Sequence, residues 1–399
     1  MSTYEGQAMV SADALRERLS SSDDYVAEAR RIAGVDSFFS DSYREGLELY
    51  LKGVIGNTDF NDYGLVFAAK WAIEPLAQRL KIDDWIRRHP YIARVPVTKP
   101  VFVLGLPRTG STILHALLGV DPRFRILWKW ETSDCVPPVR ADRRFDDPRL
   151  IAEQGRVAAL RAKGYVAPHF VEADEPEECI YLMMEDLKAL SLEHIYDNPG
   201  FRDWLLNRAD MLTAYQHHKR ALQLMQSEWP ARWMLKLPSH ALSIDALFAT
   251  YPDARIIVPH RDPIAAAGSY CSLNYTWRTW LHPPDTLDAK AVGRQLYPQV
   301  LLHATRLMAY RDAHPTAPFL DVFYEDFKRD PLSQLRQVYE FIGEEFTPDV
   351  AKNVADFVAA HPEQPFGKHS YRLSDFGIER DQAVADFKPY MERYDISTR

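Results

Sequence analysis

The densest chemistry in the chain lies in "VFVLGLPRTGSTILHALLG", residues 101–119. Gly105 and Gly110, separated by four residues, have the spacing of a phosphate-binding loop between a strand and a helix. The first amides of such a helix have no intrahelical partner, and with the helix dipole they favour an anion. The glycines permit a tight turn and close approach of the backbone. Pro107, Arg108 and Thr109 fill the loop, and Ser111 and Thr112 open the helix with two hydroxyls. Arg108 adds a permanent charge suited to oxyanions. Ser111 occupies the position where ATP and GTP sites of this kind carry a lysine. A polyphosphate would be poorly neutralised, and a shorter anion that needs no metal fits better.

The elements needed to hold this loop are legible on either side of it. "VFVLG" is a continuous apolar run, the pattern of a strand buried on both faces. Similar runs occur at "RWMLKLP" (232–238), "ARIIVPHR" (254–261) and "PFLDVFYED" (318–326), with helical patterns between them. The alternation predicts an α/β fold, a phosphate-loop-type parallel sheet flanked by helices. Residues 1–98 are expected to form a helical N-terminal cap, residues 99–343 the core with a helical insertion at about 140–230, and residues 344–399 a helical tail packed on the core. A chain of 399 residues with 46% apolar and 26% charged residues can bury a large core. Its net charge of −8 argues against nonspecific nucleic-acid binding. The three cysteines, widely spaced, fit neither a disulfide framework nor a zinc motif and point to a reducing, cytoplasmic setting. No run approaches the length of a membrane span, and the N-terminus lacks a signal-peptide core.

"LPRTGST" resembles the 5′-phosphosulfate loop of sulfotransferases that use PAPS (3′-phosphoadenosine 5′-phosphosulfate), closest to the bacterial-type and tyrosylprotein-like branch. "IIVPHRDPIAAAGSYCSL" resembles that family's 3′-phosphate segment, with Arg261 at a strand end and Ser269 two turns into a helix, able to converge on one phosphate. "VFYEDFKRDPLSQLRQVYEFIG" (322–343) and "WMLKLPSHALSIDALFATYPDARII" also resemble family segments. The resemblance covers roughly 100 to 345, in the family's order. It implies sulfuryl transfer from PAPS to a hydroxyl, with positioning and charge stabilisation dominant and no metal required. By the same resemblance, Lys236 stabilises the leaving charge, and the basic segment "GKHSYRLSDFG", with Lys368, Tyr371 and Arg372, closes over the 3′-phosphate.

The acceptor hydroxyl needs a proton acceptor within hydrogen-bond reach. Glu131, in "LWKWETSDCVPP", matches a Glu-Thr that carries the base in the tyrosylprotein branch, and Trp128 and Trp130 would exclude water from it. His240, after the Lys236 strand, matches the histidine of cytosolic sulfotransferases, and an imidazole suits neutral pH. Both remain open at this stage. His115 is expected to pack or line the pocket, His169 to face the acceptor or the cap surface, and His260 to touch the cofactor. The adjacent His217 and His218 lack the spacing of a helical metal site. The acidic run 172–179 is expected to be a solvated helix start.

Tyr275, Trp277 and Trp280 supply aromatic walls that suit small-molecule, lipid or sugar acceptors. Two alternatives compete. One is a small-molecule kinase using ATP-Mg, with Asp321 or Asp326 near the metal. The other is a non-catalytic nucleotide-binding protein. The sequence leaves a homo-oligomer and the identity of the acceptor open.

Overall fold

The computed structural model describes residues 15, 19–55, 57, 59–162, 172–361 and 371–397. Two compact units emerge. The first comprises Met1–Pro96, Trp128–Pro230 and Thr276–Leu287; the second comprises Val97–Leu127, Ala231–Tyr275 and Asp288–Arg399.

The second unit is built on five parallel strands: β1 (Val101–Val103), β2 (Phe124–Arg125), β3 (Arg232–Lys236), β4 (Arg255–His260) and β5 (Phe319–Phe323). Their order in the sheet is β2-β3-β1-β4-β5. The apolar runs read from sequence are four of these strands. β1 is central and fully buried, as its unbroken apolar character requires. It pairs with β3 on one side, Val103 opposite Lys236, and with β4 on the other, Val103 opposite Ile257. The crevice outside the carboxyl ends of such strands, where the chain departs in opposite directions, is where open α/β sheets bind ligands. Three strand ends therefore deliver the loop after β1, Lys236 and Arg261 to one edge.

Each strand returns through a helix. Ser111–Leu118 follows β1, Ile244–Thr250 follows β3, and Pro263–Leu281 follows β4. Asp262 caps the last of these, its Oδ1 accepting from the amides of Ile264 at 2.9 Å and Ala265 at 3.2 Å. Ala289–Ala313 and Arg380–Arg393 pack beside it around Ala267, Cys271, Leu296, Val300 and Phe387, all fully buried.

The first unit is helical. Ser22–Ala33 opens with a reciprocal capping box between Ser21 and Asp24 and closes at Gly34. Asp62–Arg88 is the longest helix, capped by Asn61, with Ala68, Ala72, Leu76 and Leu80 on its buried stripe. A buried charge network fixes it to the insertion. Arg79 donates to Asp186 at 2.6 Å, and Asp186 also receives Lys188 at 2.7 Å and Thr213 at 2.8 Å. Met211–Glu228 is tied to residues 93–96 by Gln223 and Gln226, which donate to the carbonyls of Ala93, Val95 and Pro96. Among the described residues, no helix is long and apolar enough to cross a membrane.

Candidate active site

The loop after β1 has the conformation its composition predicts. Gly105, Arg108 and Gly110 have φ of 140°, 65° and 89°. Gly110 is the N-cap of Ser111–Leu118 and offers no side-chain cap, so the first amides of this helix are not claimed by a capping side chain. The Thr109 hydroxyl donates to the Leu106 carbonyl at 2.9 Å, which closes the turn from within. Pro107 and Thr109 are buried, while Arg108 and Gly110 are partly open.

The segment after β4 meets this loop directly. Arg108 Nε donates to Ser269 Oγ at 3.1 Å, and Arg261 Nη1 donates to the Arg108 carbonyl at 3.3 Å. Two motifs separated by some 150 residues of chain thus touch, the Arg108 guanidinium on the Ser269 hydroxyl and the Arg261 guanidinium on the Arg108 backbone. Guanidiniums are suited to oxyanions.

Tyr324, which sequence reasoning did not single out, braces both motifs. Its ring lies under the Arg261 guanidinium, 4.9 Å from centroid to Cζ. The same ring fills the space beside Gly110, so a Cβ there would stand 2.6 Å from Tyr324 Cδ2. The signal lay in "FYED", where the tyrosine follows the last strand directly.

Lys236 is 3% exposed, and its Nζ donates to Thr112 Oγ1 at 3.4 Å. A solvent-facing lysine at a strand end would look different; this one is turned inward to the first turn of the loop helix. Its charge is felt by His115, whose imidazole is pushed down to about 3, first by burial and then by that ammonium. His115 Nε2 meets the Met234 carbonyl at 3.0 Å, so His115 is a packing residue. His240 sits in a short 3-10 turn, Pro238–Leu242, just after β3. It is 1% exposed, with its ring edge-on to Phe102 of β1 at 5.2 Å. The Pro238 carbonyl accepts from the Gly105 amide at 3.5 Å, which links this turn to the start of the loop. Ser239 does not cap the turn.

Tyr371 lies on the helix after β4, its hydroxyl donating to the Ala265 carbonyl at 2.6 Å. Gly268 makes room for it, because a Cβ there would stand 2.5 Å from the Tyr371 ring. Burial raises the phenol's pKa against the pull of the Arg261 and Arg108 charges. Arg372 turns instead to Asp375 at 3.0 Å and is largely exposed. Lys368 and His369 lie outside the described residues, as does His169.

Glu131 belongs to the first unit, on the short helix Lys129–Ser133, and is 1% exposed. The acidic run 172–179 is not the solvated helix start expected of it. It turns at residues 172–175, where the Glu175 amide donates to the Glu172 carbonyl at 3.2 Å, and it lies beside this helix: the amides of Lys129 and Trp130 donate to the carbonyls of Glu175 and Ala173, both at 3.1 Å. Glu177 is buried and pairs with the Lys129 ammonium at 3.3 Å, and Lys129 also donates to the Tyr181 hydroxyl.

Two other expectations change. His260 does not face a ligand. Its Nδ1 meets Tyr390 Oη at 2.7 Å and its Nε2 meets Asp321 at 2.8 Å, buried under Tyr394. Asp321 is in turn gripped by Arg311 at 2.6 and 2.9 Å, and these partners hold its carboxyl down at about 2. Asp326 pairs with Arg329. Asp321, so fully committed, is not offered to a magnesium ion. His217 is also structural, buried against Glu185 at 2.5 Å. None of the three cysteines is in a disulfide, and all are buried.

The parallel sheet thus brings an arginine-bearing glycine loop after β1 against an Arg-Ser pair after β4. The sulfotransferase family pattern matches residues 100–348, more than half of the chain, and the chain belongs to that family. It is a sulfotransferase enzyme. Among solved structures it is similar to sulfotransferase STF9 from Mycobacterium avium, at 32% identity and a TM-score of 0.90, covering 96% of this chain and 98% of that one. Sulfotransferase STF1 from Mycobacterium tuberculosis H37Rv aligns at 28% identity and a TM-score of 0.83, covering 93% and 99%. A curated relative from Mycobacterium bovis, named omega-hydroxy-beta-dihydromenaquinone-9 sulfotransferase Stf3, is 26% identical over 285 residues, 64% of this chain and 67% of that protein.

Proposed function

We propose that this enzyme transfers a sulfuryl group from PAPS to the hydroxyl of a small, lipid-like acceptor. The observation that carries the donor assignment is the direct junction of the two anion motifs, Arg108 to Ser269 at 3.1 Å and Arg261 to the Arg108 carbonyl at 3.3 Å. One ligand with an anion at each end suits that junction, and 3′-phosphoadenosine 5′-phosphosulfate has that form. Tyr324 supports the same fit, since its ring contacts both motifs, packing against Gly110 and under Arg261.

When bound, PAPS supplies a sulfuryl group for in-line displacement by an acceptor hydroxyl. The chain's own residues then divide the work. The amides of 106–112, with Ser111 and Thr112, hold the 5′-phosphosulfate; Arg261 and Ser269 hold the 3′-phosphate; Tyr371 lines the helix beside them. Lys236 and Arg108 stabilise charge as it accumulates on the departing phosphate. Glu131 or His240 takes the acceptor proton. The lipid-like acceptor is supported by the name of the curated Stf3 relative, whose acceptor is a hydroxylated dihydromenaquinone. Three buried cysteines outside any disulfide support a reducing compartment such as the cytoplasm.

Calorimetry with 3′,5′-diphosphoadenosine in EDTA tests the donor half. The expected result is one site per chain, lost in Arg261→Ala, with no comparable binding of ATP-Mg. ATP-Mg binding that survives Arg261→Ala would overturn it. A labelled-sulfate transfer screen over hydroxylated acceptors tests the rest.

A further inference from the structure

Trp277 and Trp280 stand near the end of one helix, and the fold joins them to a second set of rings. Tyr63, Phe67 and Trp71 stand four residues apart on Asp62–Arg88 and therefore on one face. Their centroids step 6.2 Å from Tyr63 to Phe67 and 4.7 Å from Phe67 to Trp71. Phe67 also meets Trp277 at 6.4 Å, and Trp277 meets Trp280 at 5.1 Å. All five residues belong to the first unit. Phe67, Trp71, Trp277 and Trp280 are half-buried, and Tyr63 is exposed.

The platform under these rings is rigid. Asn61 donates from its amide to the Leu281 carbonyl at 3.0 Å and from Nδ2 to the Trp280 carbonyl at 2.9 Å. Arg278 donates to the His194 carbonyl at 2.7 Å, and His282 meets the carbonyls of Asp59 and Ile195, both at 2.8 Å. A core cluster would bury such rings completely. A protein interface favours a broad patch with a buried centre. A narrow file of tilted, partly open rings fits neither. Tyr63 to Trp71 spans about 12 Å along the helix, the reach of a medium-length apolar chain. The helix that carries Trp277 and Trp280, Pro263–Leu281, also carries Ser269 two turns earlier.

We infer that this file of rings holds the apolar body of the acceptor, and that the acceptor is an alcohol bearing an alkyl or prenyl chain. The assignment rests on the hydroxyl-acceptor reading above and narrows it to a chemical class. Sugars and compact phenols would leave most of the file uncovered.

The test uses the full chain and brominated alkanols, which quench tryptophan where they bind. 11-Bromoundecan-1-ol is expected to quench with a midpoint at least about tenfold below that of 4-bromobutan-1-ol, because each buried methylene adds to affinity. Phe67→Ala, which keeps every tryptophan, should raise the long-chain midpoint several-fold and leave the short-chain one unchanged. Phe67→Leu should recover part of the loss, which separates a docking role from misfolding. Equal midpoints for the two chains, or indifference to Phe67→Ala, would overturn the inference. So would a concentration-dependent dimer that Phe67→Ala dissociates without any chain-length effect. The quenching needs no donor. If it follows chain length while no alcohol is sulfated, the transfer reading fails and the docking surface stands. If alcohols are sulfated equally well whatever their chain length, the transfer reading stands and the docking surface fails.

Discussion

Gly110→Ala perturbs the junction at its tightest point. The backbone there has φ of 89°, where a side chain costs roughly 1–2 kcal/mol. The new Cβ would stand 2.6 Å from Tyr324 Cδ2 and 3.1 Å from Cε2, closer than carbon atoms pack. The Tyr324 ring cannot swing freely, because Arg261 lies over it at 4.9 Å. Overpacking of this kind adds about 1–3 kcal/mol. Gly110→Ala should therefore lose about 2–5 kcal/mol in urea unfolding. It should also weaken 3′,5′-diphosphoadenosine binding by an order of magnitude or more. A double-mutant cycle with Tyr324→Ala isolates the clash. The pair should be more stable than the sum of the singles predicts by about 1–3 kcal/mol, with only the backbone strain remaining. A coupling near zero, or a Gly110→Ala protein as stable as the parent, would refute the reasoning.

Three further outcomes follow. His303 is buried, with Nδ1 on the Gln299 carbonyl at 2.7 Å, and burial pushes its imidazole down to about 4. The unfolded chain then binds the extra proton between pH 6.5 and 4, so this stability is complete above 6.5 and lost at about 1.4 kcal/mol per pH unit below it; His303→Leu should flatten the urea-stability slope by one proton in that window. Lys129→Met strands Glu177 without its buried ammonium and should cost about 3–5 kcal/mol, whereas Tyr181→Phe should cost about 1–3 kcal/mol, both read by urea unfolding. Of Glu131→Gln and His240→Gln, the change that removes the proton acceptor should lower kcat roughly 10²–10⁴-fold with little effect on KM; equal, small effects from both would exclude each as the base.

The sheet was legible because β1, β3 and β4 are buried on both faces and must be written in continuous apolar residues. β2, two residues long, has no room for a pattern. The loop and the Arg261–Ser269 pair were legible because their chemistry is local: a turn, a strand end and two helical turns set their geometry. Tyr324 was not, since its role depends on β5 delivering a ring to Gly110 across a long stretch of chain. The inward turn of Lys236 was hidden for the same reason: a strand-end side chain reads alike whether it faces water or Thr112. His260 looked like a ligand contact beside Arg261 until its partners, Asp321 and Tyr390, arrived from β5 and the C-terminal helix. The acidic run misled because charge density suggests a solvated helix, while its actual conformation is set by non-local pairing with the amides of Lys129 and Trp130.

The most direct test is a crystal structure with 3′,5′-diphosphoadenosine bound. Density for a single ligand is expected, its 5′-phosphate on the amides of the 106–112 turn and its 3′-phosphate between Arg261 and Ser269. A ligand that engages one of these places and leaves the other bare would contradict the account.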